Sequence, residues 1–135
     1  YGLHEALDMI LGEGLDHVFA RHQRLARACR AAVNVWGLEI QCADPTVYSP
    51  VLTGVMMPEG VDADAVRKII YERFDTSLGT GLGKVKGKMF RIGHLGECND
   101  VSLMGTLCAV EMGLSVAGVA LKGSGVVAAM SELQK

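Results

Sequence analysis

Over residues 1–36 an apolar side chain returns at nearly every third or fourth position. The series is Leu3, Leu7, Ile10, Leu11, Leu15, Val18, Phe19, Leu25, Ala28, Ala32, Val33 and Trp36. That period places one continuous stripe on one face of a helix. Gly12 and Gly14 interrupt the series, so it predicts two helices or one broken helix, over about 1–12 and 15–36. Gly37 follows as a C′ glycine. An apolar stripe this long has to be buried, so the rest of the chain must supply an opposing layer. Arg21, His22, Arg24, Arg27 and Arg30 fall mostly on the other side, which reads as a solvated face.

The period then changes to two. Leu38–Ala43 alternates apolar and polar residues, and Val51–Met57 is nearly all apolar around Gly54. Asp44-Pro45 and Ser49-Pro50 mark the connection between these strands, and Pro58-Glu59-Gly60 ends the second. A helix over about Asp62–Phe74 follows, with Asp62 as N-cap and Ala65, Val66, Ile69, Ile70 and Phe74 on its inner side. Thr76–Leu78 reads as a brief strand, residues 79–87 as a glycine-rich loop, and 89–95 as a further strand. Asn99 or Asp100 caps a helix with apolar residues on most sides, expected to be covered on more than one face, and a last helix spans about Gly125–Leu133. This order predicts an α+β fold in which helices pack on a small, mostly antiparallel sheet. Residues 1–36 are expected to form a long, broken helix, and 37–135 the α+β layers.

Composition narrows the function. Thirteen basic residues against fifteen acidic ones, with no basic stripe carrying interleaved aromatics, argue against nucleic acid as a partner. No apolar run approaches the roughly 20 residues that a membrane-spanning helix needs, and no signal peptide is visible. Cys29, Cys42, Cys98 and Cys108 lack metal-ligand spacing and suit a reducing cytoplasm as free thiols. The chain starts at Tyr1 and not at methionine, as a piece of a longer polypeptide would.

The residue that most needs an explanation is Arg91, inside the strand KMFRIGHLG. Alternation places Met89, Arg91, Gly93 and Leu95 on one face, and Phe90, Ile92 and His94 on the other. A guanidinium is permanently charged and needs an anion if it leaves water. It pairs either with a side chain of the domain (Glu97, Asp100 or Glu111) or with a ligand carboxylate, gripped through two parallel hydrogen bonds. Gly93 beside it marks a place where a ligand can approach the backbone. The glycine segment GTGLGKVKG matches neither a Walker A loop nor a dinucleotide-binding turn, and reads as a turn or mobile lid. His94 reads as a structural histidine, and no serine has the company of a nucleophile.

The opening YGLHEALDMILGEGLDHVFARHQRLARACRAAVNVWGLE, the segment GTGLGKVKGKMFRIGHLGECND and the following LMGTLCAVEMGL resemble the serine–glyoxylate aminotransferases. These are class-V pyridoxal-phosphate enzymes related to alanine–glyoxylate aminotransferase. The resemblance runs through the whole chain. It implies the C-terminal small domain of a fold-type I pyridoxal-phosphate-dependent transferase. It also implies that Arg91 binds the α-carboxylate of small amino-acid and keto-acid substrates, with no catalytic, cofactor-binding or metal-binding residue in this chain. The cofactor, pyridoxal 5′-phosphate, would be held by a lysine in the rest of a cytoplasmic, homodimeric parent. The reaction implied is serine plus glyoxylate to hydroxypyruvate plus glycine, with alanine or ureidoglycine as alternative donors. Lys68, Lys84, Lys86, Lys88 and Lys122 stand in no setting that would lower an amine's pKa, so the fragment alone is expected to be inactive. A stand-alone amino-acid-binding regulatory module is the reading outside the enzyme class.

Overall fold

A computed structural model describes all residues, 1–135. Two helices open the chain, α1 (Gly2–Glu13) and α2 (Leu15–Trp36), broken at Gly14. Gly14 takes φ 87° and ψ 132°, a conformation that needs glycine and cannot continue a helix. Strands β1 (Glu39–Ile40) and β2 (Leu52–Met56) follow, then α3 (Ala63–Phe74), β3 (Gly79–Thr80), β4 (Met89–Gly93), α4 (Asp100–Val116) and α5 (Gly125–Leu133). The strands form one antiparallel sheet in the order β1-β2-β4-β3. This is the α+β arrangement expected from the sequence.

Local signals explain most of the boundaries. The Asp62 carboxylate accepts from the Asp64 backbone N–H at the start of α3. Asn99 closes a reciprocal capping box with Ser102 at the start of α4. Gly37 ends α2 in the left-handed conformation. Cross-strand pairing begins at Gly79, later than the expected strand at Thr76–Leu78. The Leu78 carbonyl is occupied there by the Arg67 guanidinium, through Nε at 2.9 Å and Nη2 at 2.7 Å.

The core lies between the sheet and the helices. Leu25, Val33 and Trp36 from α2, Val66 and Ile70 from α3, and Leu103, Leu107, Val110 and Leu114 from α4 meet Val55, Phe90 and Ile92 of the sheet. Fully burying a side chain such as Phe90 or Ile92 contributes about 1.5–3 kcal/mol. As expected, α4 is covered from more than one direction, by α3, α5 and α2, although Val101, Met112 and Val116 remain exposed. The solvated face expected along α2 is found only in part, with Arg27 exposed and Arg21, Arg24 and Arg30 half-buried. Arg24 pairs with Asp100 at 2.5 Å, Arg27 with Glu132 at 3.3 Å and Arg21 with Glu13 at 2.7 Å, while His22 is buried. These cations tie α2 to other elements of the chain. By contrast α1 buries no residue, and Leu3, Leu7 and Leu11 lie open.

Candidate functional site

Strand β4 alternates as its sequence requires. Phe90, Ile92 and the neighbouring His94 point into the core with no exposed surface, while Arg91 lies on the opposite face. Its cross-strand partners are Gly54 on β2 and Gly79 on β3, so neither neighbouring strand places a side chain beside it. The Arg91 Nε is buried and has no hydrogen-bond partner.

None of the three carboxylates within sequence reach pairs with Arg91. Asp100 holds Arg24. Glu111 accepts from Trp36 Nε1 at 2.7 Å, Ser124 Oγ at 2.8 Å and the Val126 backbone N–H at 2.9 Å. Glu97 is exposed and takes part in no ion pair. A buried N–H left unmatched is destabilising by about 1–3 kcal/mol, so this one needs an account.

Arg91 also lines a cleft of about 240 Å³, with Met89, Gln41, Tyr48, Ser49 and Arg30 among the other walls. No aspartate or glutamate reaches it. Arg30 stacks over the Tyr48 ring, its Cζ 5.1 Å from the ring centre, and its Nη1 donates to the Ser49 carbonyl at 3.3 Å. Burial holds the Arg30 pKa below its ordinary value. The cleft therefore offers two cations and no anion, which suits an anionic ligand.

Behind the strand, His94 is fixed on both ring nitrogens. Its Nδ1–H donates to the Pro50 carbonyl at 3.1 Å, and its Nε2 accepts from the Thr53 hydroxyl at 2.9 Å. Burial pushes its pKa down to about 4, so it is neutral and structural at neutral pH. Beyond β4 the turn is held from α2. Arg21 Nη1 donates to the carbonyls of Gly96 and Cys98 at 2.8 and 3.1 Å, and His22 Nε2 accepts the Gly96 N–H at 3.2 Å.

The residues of this chain do not fit a Schiff-base cofactor. All six lysines are exposed, and none lies in an enclosed pocket of the kind that holds a cofactor-bound lysine. The sequence reading missed Arg30 and Tyr48. Their signal is weak, because a helix cation and a loop aromatic 18 positions apart carry no spacing rule.

No family model matches the chain. The serine–glyoxylate aminotransferase of Hyphomicrobium methylovorum is 50% identical over 135 residues, covering 99% of this chain and 33% of the relative. The chain spans about a third of the length of the serine–glyoxylate aminotransferases it matches, and is similar to them over that third. Two solved aminotransferases carry the same fold. Pyridoxamine–pyruvate aminotransferase from Mesorhizobium loti superposes with a TM-score of 0.92 at 36% identity, over 98% of this chain and 34% of that one. Ureidoglycine–glyoxylate aminotransferase from Bacillus subtilis gives 0.91 at 28% identity, over 98% and 35%. The sheet with its packed helices matches the C-terminal domain of such aminotransferase structures.

Proposed function

We propose that this chain is the substrate-carboxylate-binding domain of a serine–glyoxylate aminotransferase, and that Arg91 is the group that grips the carboxylate. The observation that carries this reading is the guanidinium itself: buried at Nε, unpaired, and flanked by glycine on both sides. A planar cation with two free donors matches a carboxylate in charge and geometry. Amino acid and keto acid present the same carboxylate, so one arginine orients both partners of a transamination. Serine is proposed over ureidoglycine as donor because the serine-acting relative shares 50% of its residues, against 28% for the ureidoglycine-acting one.

In a cytoplasmic, homodimeric parent, pyridoxal phosphate held by a lysine outside these residues would supply the electron sink. The domain itself supplies position and charge. Arg91 fixes one end of the substrate, and the neutral His94 holds β4 from behind through Thr53 and Pro50 without taking part in proton transfer. We read residues 1–36, helices α1 and α2, as the link to a large domain of the parent, 37–135 as the substrate-binding domain, and the 135 residues alone as inactive. A borohydride-trapped adduct at one lysine of the isolated chain, together with turnover, would contradict that inactivity.

The test of Arg91 uses the full-length parent. Arg91→Ala should cost about 2–4 kcal/mol in kcat/KM for amino donor and keto acceptor alike, and Arg91→Lys less. Cofactor content should stay at the wild-type level in both. Unchanged kcat/KM in Arg91→Ala would end the carboxylate reading. A drop in Tm and in cofactor retention, without a specific loss of substrate affinity, would make Arg91 a structural cation.

A further inference from the structure

The glycine-rich segment before β4 contains four glycines at 79, 81, 83 and 87, and three of them have local reasons. Gly83 and Gly87 adopt φ of 55° and 70°, where other residues are strained. A Cβ on Gly81 would lie 2.2 Å from the carbonyl oxygen of Val85 in its own turn. Gly79 has neither reason. Its backbone is not left-handed, and the three atoms nearest its missing Cβ all belong to a side chain. What fills that space is Arg91: a Cβ there would sit 3.1 Å from Arg91 Cβ, 3.1 Å from Nε and 3.5 Å from Cζ.

Directly opposed residues of an antiparallel pair normally keep their Cβ atoms about 4.5–5.5 Å apart. The 3.1 Å Cβ approach belongs to the two backbones, but Nε at 3.1 Å and Cζ at 3.5 Å show that the Arg91 side chain itself turns over Gly79. It folds sideways across β3 and lies in the volume that a side chain at 79 would take. On the other flank, the space over Gly54 is filled by the Met89 methyl, 2.6 Å from where a Cβ would be, and by Gln41. That flank is closed, and the guanidinium leans one way only.

From this geometry we infer that Gly79 is a positioning residue for Arg91. Its missing side chain sets the direction of the guanidinium, so that Nε faces the sheet and the two terminal nitrogens are left for the ligand. Because Nε is buried, a carboxylate meets Arg91 end-on, through Nη1 and Nη2, and not along the Nε–Nη side. This rests on the carboxylate reading of Arg91.

In the full-length parent, Gly79→Ala places a methyl against Nε and Cζ and displaces the fork. The expected result is a fall in kcat/KM of about 10-fold for both substrates, carried mainly by KM, with Tm close to wild type. In an Arg91→Lys background, where a flexible ammonium can swing clear, Gly79→Ala should change kcat/KM by no more than about 2-fold. Thr80→Val, at the adjacent position facing the other way, controls for damage to the edge strand. An equal loss from Gly79→Ala in both backgrounds, a loss confined to kcat, or a loss of Tm alone would overturn the proposal. So would failure of both Gly79→Ala and Gly79→Ser to fold, because the glycine would then be a packing requirement. The underlying reading fails separately, if Arg91→Ala by itself leaves kcat/KM unchanged.

Discussion

His94 offers a prediction whose size follows from its surroundings. Its ring is fully buried, and burial pushes its pKa down to about 4 against an ordinary 6.5. Between those two values the unfolded chain binds a proton that the folded chain refuses. Stability is therefore fully present above pH 6.5 and is lost as the pH falls toward 4. Lowering the pH from 7.5 to 5 should remove about 2 kcal/mol through this one residue. The assay is urea unfolding of the 135-residue chain at both pH values, with wild type beside His94→Gln. The glutamine variant should be less stable at pH 7.5 by about 1–3 kcal/mol, because the Thr53 and Pro50 contacts are disturbed. Its pH dependence should be shallower than wild type by about 2 kcal/mol over the interval. His4, His17 and His22 are present in both proteins, so the difference isolates His94. Equal pH dependence in the two proteins would refute the argument.

Two further outcomes follow from packing. A Cβ on Gly113 would lie 2.2 Å from Ile70 Cγ1, so Gly113→Ala should force α3 from α4 and cost about 1–3 kcal/mol, read as a lowered urea midpoint with unchanged slope. The open stripe of α1, with Leu3, Leu7 and Leu11 exposed, should make the isolated chain self-associate. Leu7→Glu should reduce that association in sedimentation velocity, and a clean monomer of the unsubstituted chain at high concentration would contradict it.

What could be read from sequence was whatever is decided within a few residues. The Asp62 and Asn99 caps, the Gly37 stop and the alternation of β4 all depend on neighbours, and each stands where the sequence places it. What could not be read was decided at long range. Arg24 and Arg27 look like solvent-facing residues of a helix because their partners, Asp100 and Glu132, lie 76 and 105 positions away. β3 was misplaced because Arg67 takes the Leu78 carbonyl from the sheet, which no propensity records. Arg91 was legible as a question, since a cation between Phe90 and Ile92 is conspicuous. Its lack of a counter-ion became visible only once Asp100 and Glu111 were seen to be engaged elsewhere.

The packing of α5 against α2 has a consequence for how the chain is made. A Cβ on Gly125 would lie 2.5 Å from Trp36 Nε1 and 2.6 Å from the Ala32 carbonyl, so the last helix presses directly on the core face of the second. The main buried stripe of α2 is thus closed by residues synthesised roughly 90 positions later. At about 5–20 residues per second, α2 waits on the order of 5–20 s on the ribosome with Trp36 uncovered. During that interval the nascent chain holds a long amphipathic helix without its lid, and a chaperone that shields such apolar stripes would find its substrate there. A product truncated before Gly125 would keep the sheet and α4 against α2 but leave bare the side that α5 covers.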